Sequence, residues 1–224
     1  MNIVSKNTDF VHFCFLLLSP EAVFLHRINK IRLRITIKLI KNMNLKTERM
    51  VLRPWRETDA EILYEYAKDE RVGPVAGWPV HQSVEESREV IRTVFAQEGV
   101  FAVTLKEDNK AIGCIGVIRG TKSNFPIGEN EGEISYWIGV PFWGQGLIPE
   151  AMREVIRYAF EDLKLVNLWC GYFDGNEKSK RAQEKCGFRH HHTCPKKYYP
   201  LTGDCRIEHV SLLTYNDWLR WRKD

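Results

Sequence analysis

The sequence lacks most of the features that would direct it to a specialised class. Its six cysteines (Cys14, Cys114, Cys170, Cys186, Cys194 and Cys205) form no C-x-x-C pair. In 224 residues that scatter points to reduced thiols of a cytosolic protein, not to a disulfide frame. No apolar run reaches the roughly 18–20 residues that cross a bilayer. The longest, FVHFCFLLL at 10–18, is about half that. There is no internal repeat and no low-complexity linker. Strong charge is missing too: the net charge is +4, and most of it sits in residues 1–42, where seven Lys/Arg face Asp9 and Glu21. From residue 43 onward 26 basic residues meet 27 acidic ones, so a basic nucleic-acid-binding face has no support.

What is present is a globular composition, 44% apolar and 28% charged, long enough to bury the core of an ordinary domain. Residues 1–42 differ from the rest, because an apolar run leads into IRLRITIKLIK, where apolar and basic residues alternate. A signal peptide fits poorly, since Lys6 is the one basic residue before the run and no small-x-small site follows it. A basic membrane-surface segment is a second reading. The expectation taken forward is an extension outside the fold, with Met43 as the natural start and 43–224 as a single domain.

Periodicity supplies the elements of that domain. ERMVLRPW is expected to form a strand, and Thr58 with Glu61 a capping box that opens a helix. Ser83 and Glu86 repeat the device ahead of a second helix. VFAVTL and AIGCIGVI, joined through Glu107-Asp108-Asn109, predict a hairpin, and GEISYWIGV the next strand. Leu147, Ala151, Val155, Ala159 and Leu163 recur every four residues and predict a long amphipathic helix. A strand at 165–173, a short helix over 176–186 stopped by Gly187, two late strands and a terminal helix complete the order. Three meandering strands followed by β-α-β predict a mixed, largely antiparallel sheet flanked by helices.

The stretch YWIGVPFWGQGLIPEA carries the chemistry. A strand passing through Gly144-x-Gly146 into a helix leaves the first helical N–H groups without carbonyl partners. With the helix dipole behind them, such donors bind anions, and glycines let a phosphate come close. A tight turn with glycines for geometry alone is the competing reading. A Walker loop is excluded because Leu147-Ile148 follows Gly146, and a dinucleotide fingerprint because Pro149 stands where a third glycine belongs.

Over about 45–218 the chain resembles the GNAT N-acetyltransferases, and within them the RimJ/RimL-like group. The resemblance rests on Pro141-Phe-Trp-Gly144-Gln-Gly146 against the family's Gln/Arg-x-x-Gly-x-Gly/Ala loop, with Glu150 and Ala151 following. It rests also on Asn176, Ser179, Lys185, Gly187 and Phe188, and on GWPVHQSVEES at 77–87. Pro141 departs from the pattern at its first position. The resemblance implies a GNAT fold, acetyl-CoA as cosubstrate and no metal.

It further implies that backbone amides from Phe142 through Trp143, Gly144, Gln145 and Gly146 to Leu147 hold the pyrophosphate. The pantetheine is expected along 135–140, ending at Val140, with the Ile138 N–H aimed at the thioester oxygen. Asn176 is expected to contact pantetheine and cap its helix. Ser179 is expected to protonate the leaving thiolate, against the alternative of a helix-capping role. Glu133 is the expected base, against an exposed strand-end charge, because Lys197-Tyr198-Tyr199 stands where related enzymes carry a glutamate. Trp78, Tyr136 and Tyr198 are expected to line the acceptor cleft.

Cys170 and Cys186 are read as core thiols. His190-His191-His192 is read as a solvated strand, because neighbouring strand residues point to opposite faces. The function expected is acetyl transfer to a primary amine, a protein N-terminus or a small molecule, by a cytosolic monomer or homodimer that engages neither nucleic acid nor membrane. The lower pKa of an α-amine, about 7.7–8.0 against about 10.4 for lysine, favours the former kind of acceptor slightly. The alternative is a non-catalytic acyl-CoA-binding sensor on the same fold.

Overall fold

Among the described residues, alternating apolar residues build eight strands, and helices cover both faces of the sheet they form. The computed structural model describes residues 44–222, so the expected extension at 1–42 lies outside the described residues. Strand β1 (Leu45–Lys46) turns into β2 (Met50–Arg53), and three helices follow: α1 (Ala60–Ala67), α2 (Gly73–Ala76) and α3 (Val84–Val90). The hairpin is β3 (Val100–Leu105) and β4 (Ala111–Ile118), and β5 spans Glu131–Ile138. Helix α4 (Leu147–Arg157) ends in a wider π turn over Tyr158–Asp162. Then come β6 (Asn167–Phe173), α5 (Glu177–Glu184), β7 (Arg189–Tyr199), β8 (Asp204–Thr214) and α6 (Tyr215–Trp221).

The strands lie side by side as β1-β2-β3-β4-β5-β6-β8-β7. Every neighbouring pair is antiparallel except β5 with β6. The mixed, mostly antiparallel sheet expected from the order of elements is therefore the one observed. Two cores cover its faces. On one, Ile134 and Ile138 of β5 and Leu168 and Cys170 of β6 pack under Ala151, Met152, Val155 and Ile156 of α4. On the other, Trp137 and Cys114 pack with Trp55, Leu63 of α1 and Ile91 beyond α3. Cys170 and Cys186 are fully buried, and burial pushes both thiol pKa values up, Cys186 to about 12.

Helix starts differ in detail from the expected caps. Thr58 and Glu61 do not form the first box; Asp59 takes the Arg56 N–H at 2.9 Å and pairs with buried Arg53 at 2.7 and 2.8 Å. The reason is charge burial: Arg53 is 3% exposed, and the carboxylate nearest to it is drawn in. At α3 the Ser83 hydroxyl accepts from Glu86 N–H as expected, but the Glu86 carboxylate reaches the Gln82 N–H at 2.6 Å. Helix α2 was not foreseen. It is four residues long, begins at Gly73-Pro74, and stops at Gly77 with φ of 90°.

Candidate functional site

The site arises where the parallel pair comes apart. β5 and β6 are in register only over Glu131–Glu133 and Asn167–Trp169. Beyond that β5 stays with β4 and β6 with β8, so the facing edges diverge. Gly139 N–H donates to Ile112 of β4 at 2.9 Å. Since successive strand amides point to opposite sides, Tyr136 and Ile138 direct their N–H groups into the gap. The Ile138 carbonyl is taken by Trp143 Nε1 at 2.9 Å. A cleft of about 1450 Å³ fills the opening, lined by Ile134–Ile138 of β5, Gly171–Phe173 of β6 and the loops that follow both strands.

At one end lies the glycine loop. Gly144 and Gly146 have φ of 75° and 74°, a region that side chains disfavour, while the space beside Gly144 is open and a Cβ on Gly146 would meet only Arg49 Nη2, at an ordinary 3.8 Å. Their purpose is therefore the path of the chain and not room for a neighbour. The amides of Phe142 and Trp143 are spent inside a 3₁₀ turn, on Gly139 O and Val140 O. This corrects the expectation that the donor patch begins at Phe142, since a chain bent so tightly must satisfy its own amides there. What remains is the run from Gly144 through Gln145 and Gly146 to Leu147 at the start of α4.

Arg49 fixes that run from outside: its Nη1 holds Gln145 O at 3.0 Å, and its Nε pairs with Glu150 at 2.6 Å. Thr47 Oγ1 and Arg49 N–H also donate to Glu150. Burial opposes the Glu150 charge, but these donors hold its pKa below the ordinary carboxylate value. Phe142 and Trp143 still line the cleft, and Lys178 lies 3.7 Å over the Trp143 ring. Arg181 and Lys185 line the same region. Reasoning from sequence passed over Lys178 and Arg181 and gave Lys185 no part in the site, although their three- and four-residue spacing puts all three on one face of a helix.

In the middle, Asn176 Oδ1 caps α5 by accepting from Ser179 N–H at 3.1 Å. Ser179 Oγ lies 2.6 Å from the Tyr136 hydroxyl and accepts from Gln183 Nε2 at 3.3 Å. Burial raises the Tyr136 pKa strongly, so its phenol stays protonated. These groups share the α4 face of the sheet with Ile134 and Ile138, by strand alternation.

The opposite face holds the carboxylates. Glu133 is buried and accepts from Ser123 Oγ (2.8 Å), Asn124 N–H (2.6 Å) and Asn124 Nδ2 (2.9 Å). It is neither the exposed strand-end charge nor a wall of the cleft; Asn124 stands in front of it. Glu208 of β8 does line the cleft, buried and paired with Lys197 at 2.7 Å. A Cβ on Gly171 would sit 2.6 Å from Glu208 Oε1, so the bare glycine of β6 is what admits this carboxylate. Glu208 was missed because it stands thirty-seven residues from Gly171 and reads as an ordinary polar position of a strand.

Two expected lining residues lie elsewhere. Trp78 packs behind the wall on Trp137 (5.9 Å) and His81 (5.2 Å). Tyr198 is 59% exposed and points away, while its neighbour Tyr199 faces inward, as strand alternation requires. Val140 and Gln145 support the loop through their carbonyls without lining the cleft. The three adjacent histidines are exposed on β7.

Residues 49–189 match the family model described as the acetyltransferase (GNAT) domain. An uncharacterized N-acetyltransferase of Bacillus subtilis is 27% identical over 150 residues, which cover 65% of this chain and 82% of the relative. The ribosomal-protein-S5-alanine acetyltransferase of Vibrio fischeri shares the fold with a TM-score of 0.61 at 21% identity, over 79% of this chain and 99% of the other. RimJ of Mycobacterium smegmatis, solved in complex with CoA-disulfide, does so with 0.63 at 17% identity, over 79% and 89%. The chain belongs to the GNAT acetyltransferase family, is an acetyl-CoA-dependent acyltransferase, and has RimJ-type enzymes among its structural neighbours.

Proposed function

We propose that this chain moves the acetyl group of acetyl-CoA directly to a primary amine, either a protein N-terminal α-amine or a small-molecule amine. The observation that carries the reading is the gap between β5 and β6, with a donor run at its mouth and a hydroxyl pair inside. An extended pantetheine would complete the sheet edge of β5, and its diphosphate would meet the amides of Gly144 to Leu147 with Lys178, Arg181 and Lys185 nearby. In this reading Ile138 N–H steadies the developing oxyanion. Ser179 gives its proton to the departing thiolate, and Tyr136 relays a replacement from solvent, passing one proton on as it takes another and so remaining a phenol. Gln183 occupies a lone pair of Ser179, which leaves the hydroxyl proton free to be given.

Glu133 takes a different part in the proposal from the direct base suggested by sequence. With its oxygens engaged by Ser123 and Asn124, it holds Asn124 at the cleft wall. Attack is direct, without an acyl-enzyme, since the buried thiols of Cys170 and Cys186 have raised pKa values and make poor nucleophiles. The name of the Vibrio fischeri neighbour, an alanine acetyltransferase, supports an N-terminal α-amine as one acceptor class.

The test is thiol release from acetyl-CoA across a panel of primary amines, with binding of CoA measured in parallel. Turnover with at least one amine supports the reading. Binding without turnover would favour the acyl-CoA sensor, and absence of binding would overturn both.

A further inference from the structure

The acceptor end of the cleft holds two polar atoms that the described residues leave unsatisfied. Tyr199 Oη is buried and has no hydrogen-bond partner. Glu208 spends Oε2 on Lys197 Nζ, while no described residue donates to Oε1. Both side chains line the cleft. The two face each other closely: after burial, the approach of the Glu208 carboxylate to the phenol is the next cause that raises the Tyr199 pKa, although no hydrogen bond of ordinary length joins them. A carboxylate oxygen with no described donor, beside a buried phenol oxygen, makes a corner rich in acceptors that an ammonium would complete.

Their surroundings are ordered to keep it so. Lys197 is itself pinned, with Nζ donating to Asn124 O at 3.1 Å, and Asn124 is held by Glu133. Arg206, on the same face of β8, lies 4.7 Å over the Phe173 ring and donates to Pro74 O, which ties α2 across this end. Among the charged groups facing Glu208 are Lys197 from β7, Arg206 from β8 and Glu133 from β5. Glu70 and Arg71 also line the cleft, and Arg71 is bound to Asp69. By strand alternation Glu208 lies on the α1/α3 face of the sheet, opposite Tyr136 and Ser179.

We propose that Glu208 receives the acceptor, holding a primary ammonium against the Tyr199 hydroxyl and taking a proton from it as attack begins. The proposal rests on the acetyl-transfer reading and adds the group that prepares the nucleophile. The steps balance. One ammonium proton passes to the Glu208 carboxylate, freeing the nitrogen lone pair. That pair forms the C–N bond, and the C–S bond breaks with its electrons left on sulfur. The nitrogen gives its second surplus proton to solvent, Ser179 gives one to sulfur and regains one from solvent by way of Tyr136, and Glu208 returns its own to solvent, so one proton is released per turnover. Proton acceptor and proton donor then stand on opposite faces of one gap, with the reacting carbon between them.

The test uses the full chain, with alaninamide as the α-amine probe and butylamine as the alkyl one. Glu208→Gln should lower kcat/KM for alaninamide about 100-fold or more at pH 7, while the Kd for CoA stays within about twofold. Because a free amine needs no base, the deficit should shrink about tenfold once pH passes the α-amine pKa of about 8. A butylamine deficit that persists to higher pH would follow from its higher pKa and support the same role. Tyr199→Phe removes only the unsatisfied hydroxyl and should raise KM for the amine about fivefold with a smaller change in kcat.

A Glu208→Gln activity within about threefold of the parent, or a deficit constant with pH, overturns the proposal. Should Glu208→Gln fail to fold, Tyr199→Phe with unchanged KM overturns it instead. Should the parent release no thiol with any amine, the acetyl-transfer reading fails separately. Calorimetric binding of alaninamide to the CoA-loaded chain, present in the parent and lost in Glu208→Gln, then still decides the part played by Glu208.

Discussion

Tyr136 and Ser179, forty-three residues apart, bring their hydroxyl oxygens to 2.6 Å inside the gap between β5 and β6. Tyr136 is delivered by a strand and Ser179 by the first turn of α5, so neither can approach without the sheet opening beside it. If this pair supplies the leaving-group proton, Ser179→Ala should lower kcat by roughly 10²–10⁴ and Tyr136→Phe by less, with CoA affinity nearly unchanged. Single-turnover thiol release and calorimetry measure the two quantities. A Ser179→Ala enzyme as fast as the parent would remove the serine from the mechanism.

Neither Gly144 nor Gly146 has a neighbour that an added methyl would clash with, but both have positive φ, so alanine costs conformation and not contact. Each Gly→Ala change should cost about 1–2 kcal/mol in the bound loop geometry, or roughly tenfold in the Kd for CoA. Part of the same cost should lower the thermal midpoint of the chain, whose loop has positive φ at both glycines. Equal Kd values for parent and variants would show that the loop does not grip the carrier.

The clamp formed by Glu150, Thr47 and Arg49 makes the loop sensitive to acid. The folded pKa of Glu150 lies below its ordinary value of 4.5, so its contribution is complete above that pH and is lost as pH falls through the folded value. CoA affinity should therefore hold steady from neutrality to about pH 4.5 and decline below it. Glu150→Gln should weaken binding already at pH 7 and flatten the decline. Titrating CoA at several pH values reads both effects.

Arg53 and Asp59 form a bidentate pair, the two residues only 3% and 7% exposed. Removing one partner strands a charge, so Asp59→Ala should cost roughly 3–5 kcal/mol in urea unfolding. Replacing both, as Arg53→Met with Asp59→Leu, should cost much less than the sum of the single changes. Additive losses would show that the pair is not coupled.

The sheet and its connections were legible because they depend on local pattern. The hairpin ends, the long helix from Leu147 and the stop at Gly187 follow from alternation, four-residue spacing and a left-handed glycine. The loop was legible for the same reason. Glu208 was not, because its significance depends on Gly171 lying across a strand pair, and cross-strand register cannot be read from either segment alone. Tyr198 and Tyr199 show the same limit: alternation says that one faces inward, and only the pairing with β8 says which. Glu133 was read as a base or an exposed strand-end charge, and its engagement by Ser123 and Asn124 comes from a loop whose course no periodicity announces.

β7 forms the outer margin of the sheet and runs eleven residues, long enough to recruit a stray chain. Its pairing with β8 slips twice, after His190 and again between Cys194 and Lys197, where Pro195 removes an amide and two lysines follow. Among the described residues the opposite margin, β1, has only two residues. A polypeptide seeking a template thus finds one border too brief and the other bent, charged and short of a donor. The same irregular border brings Lys197 and Tyr199 beside Glu208, so straightening it to a regular ribbon would invite self-association and disarrange the pocket in one stroke.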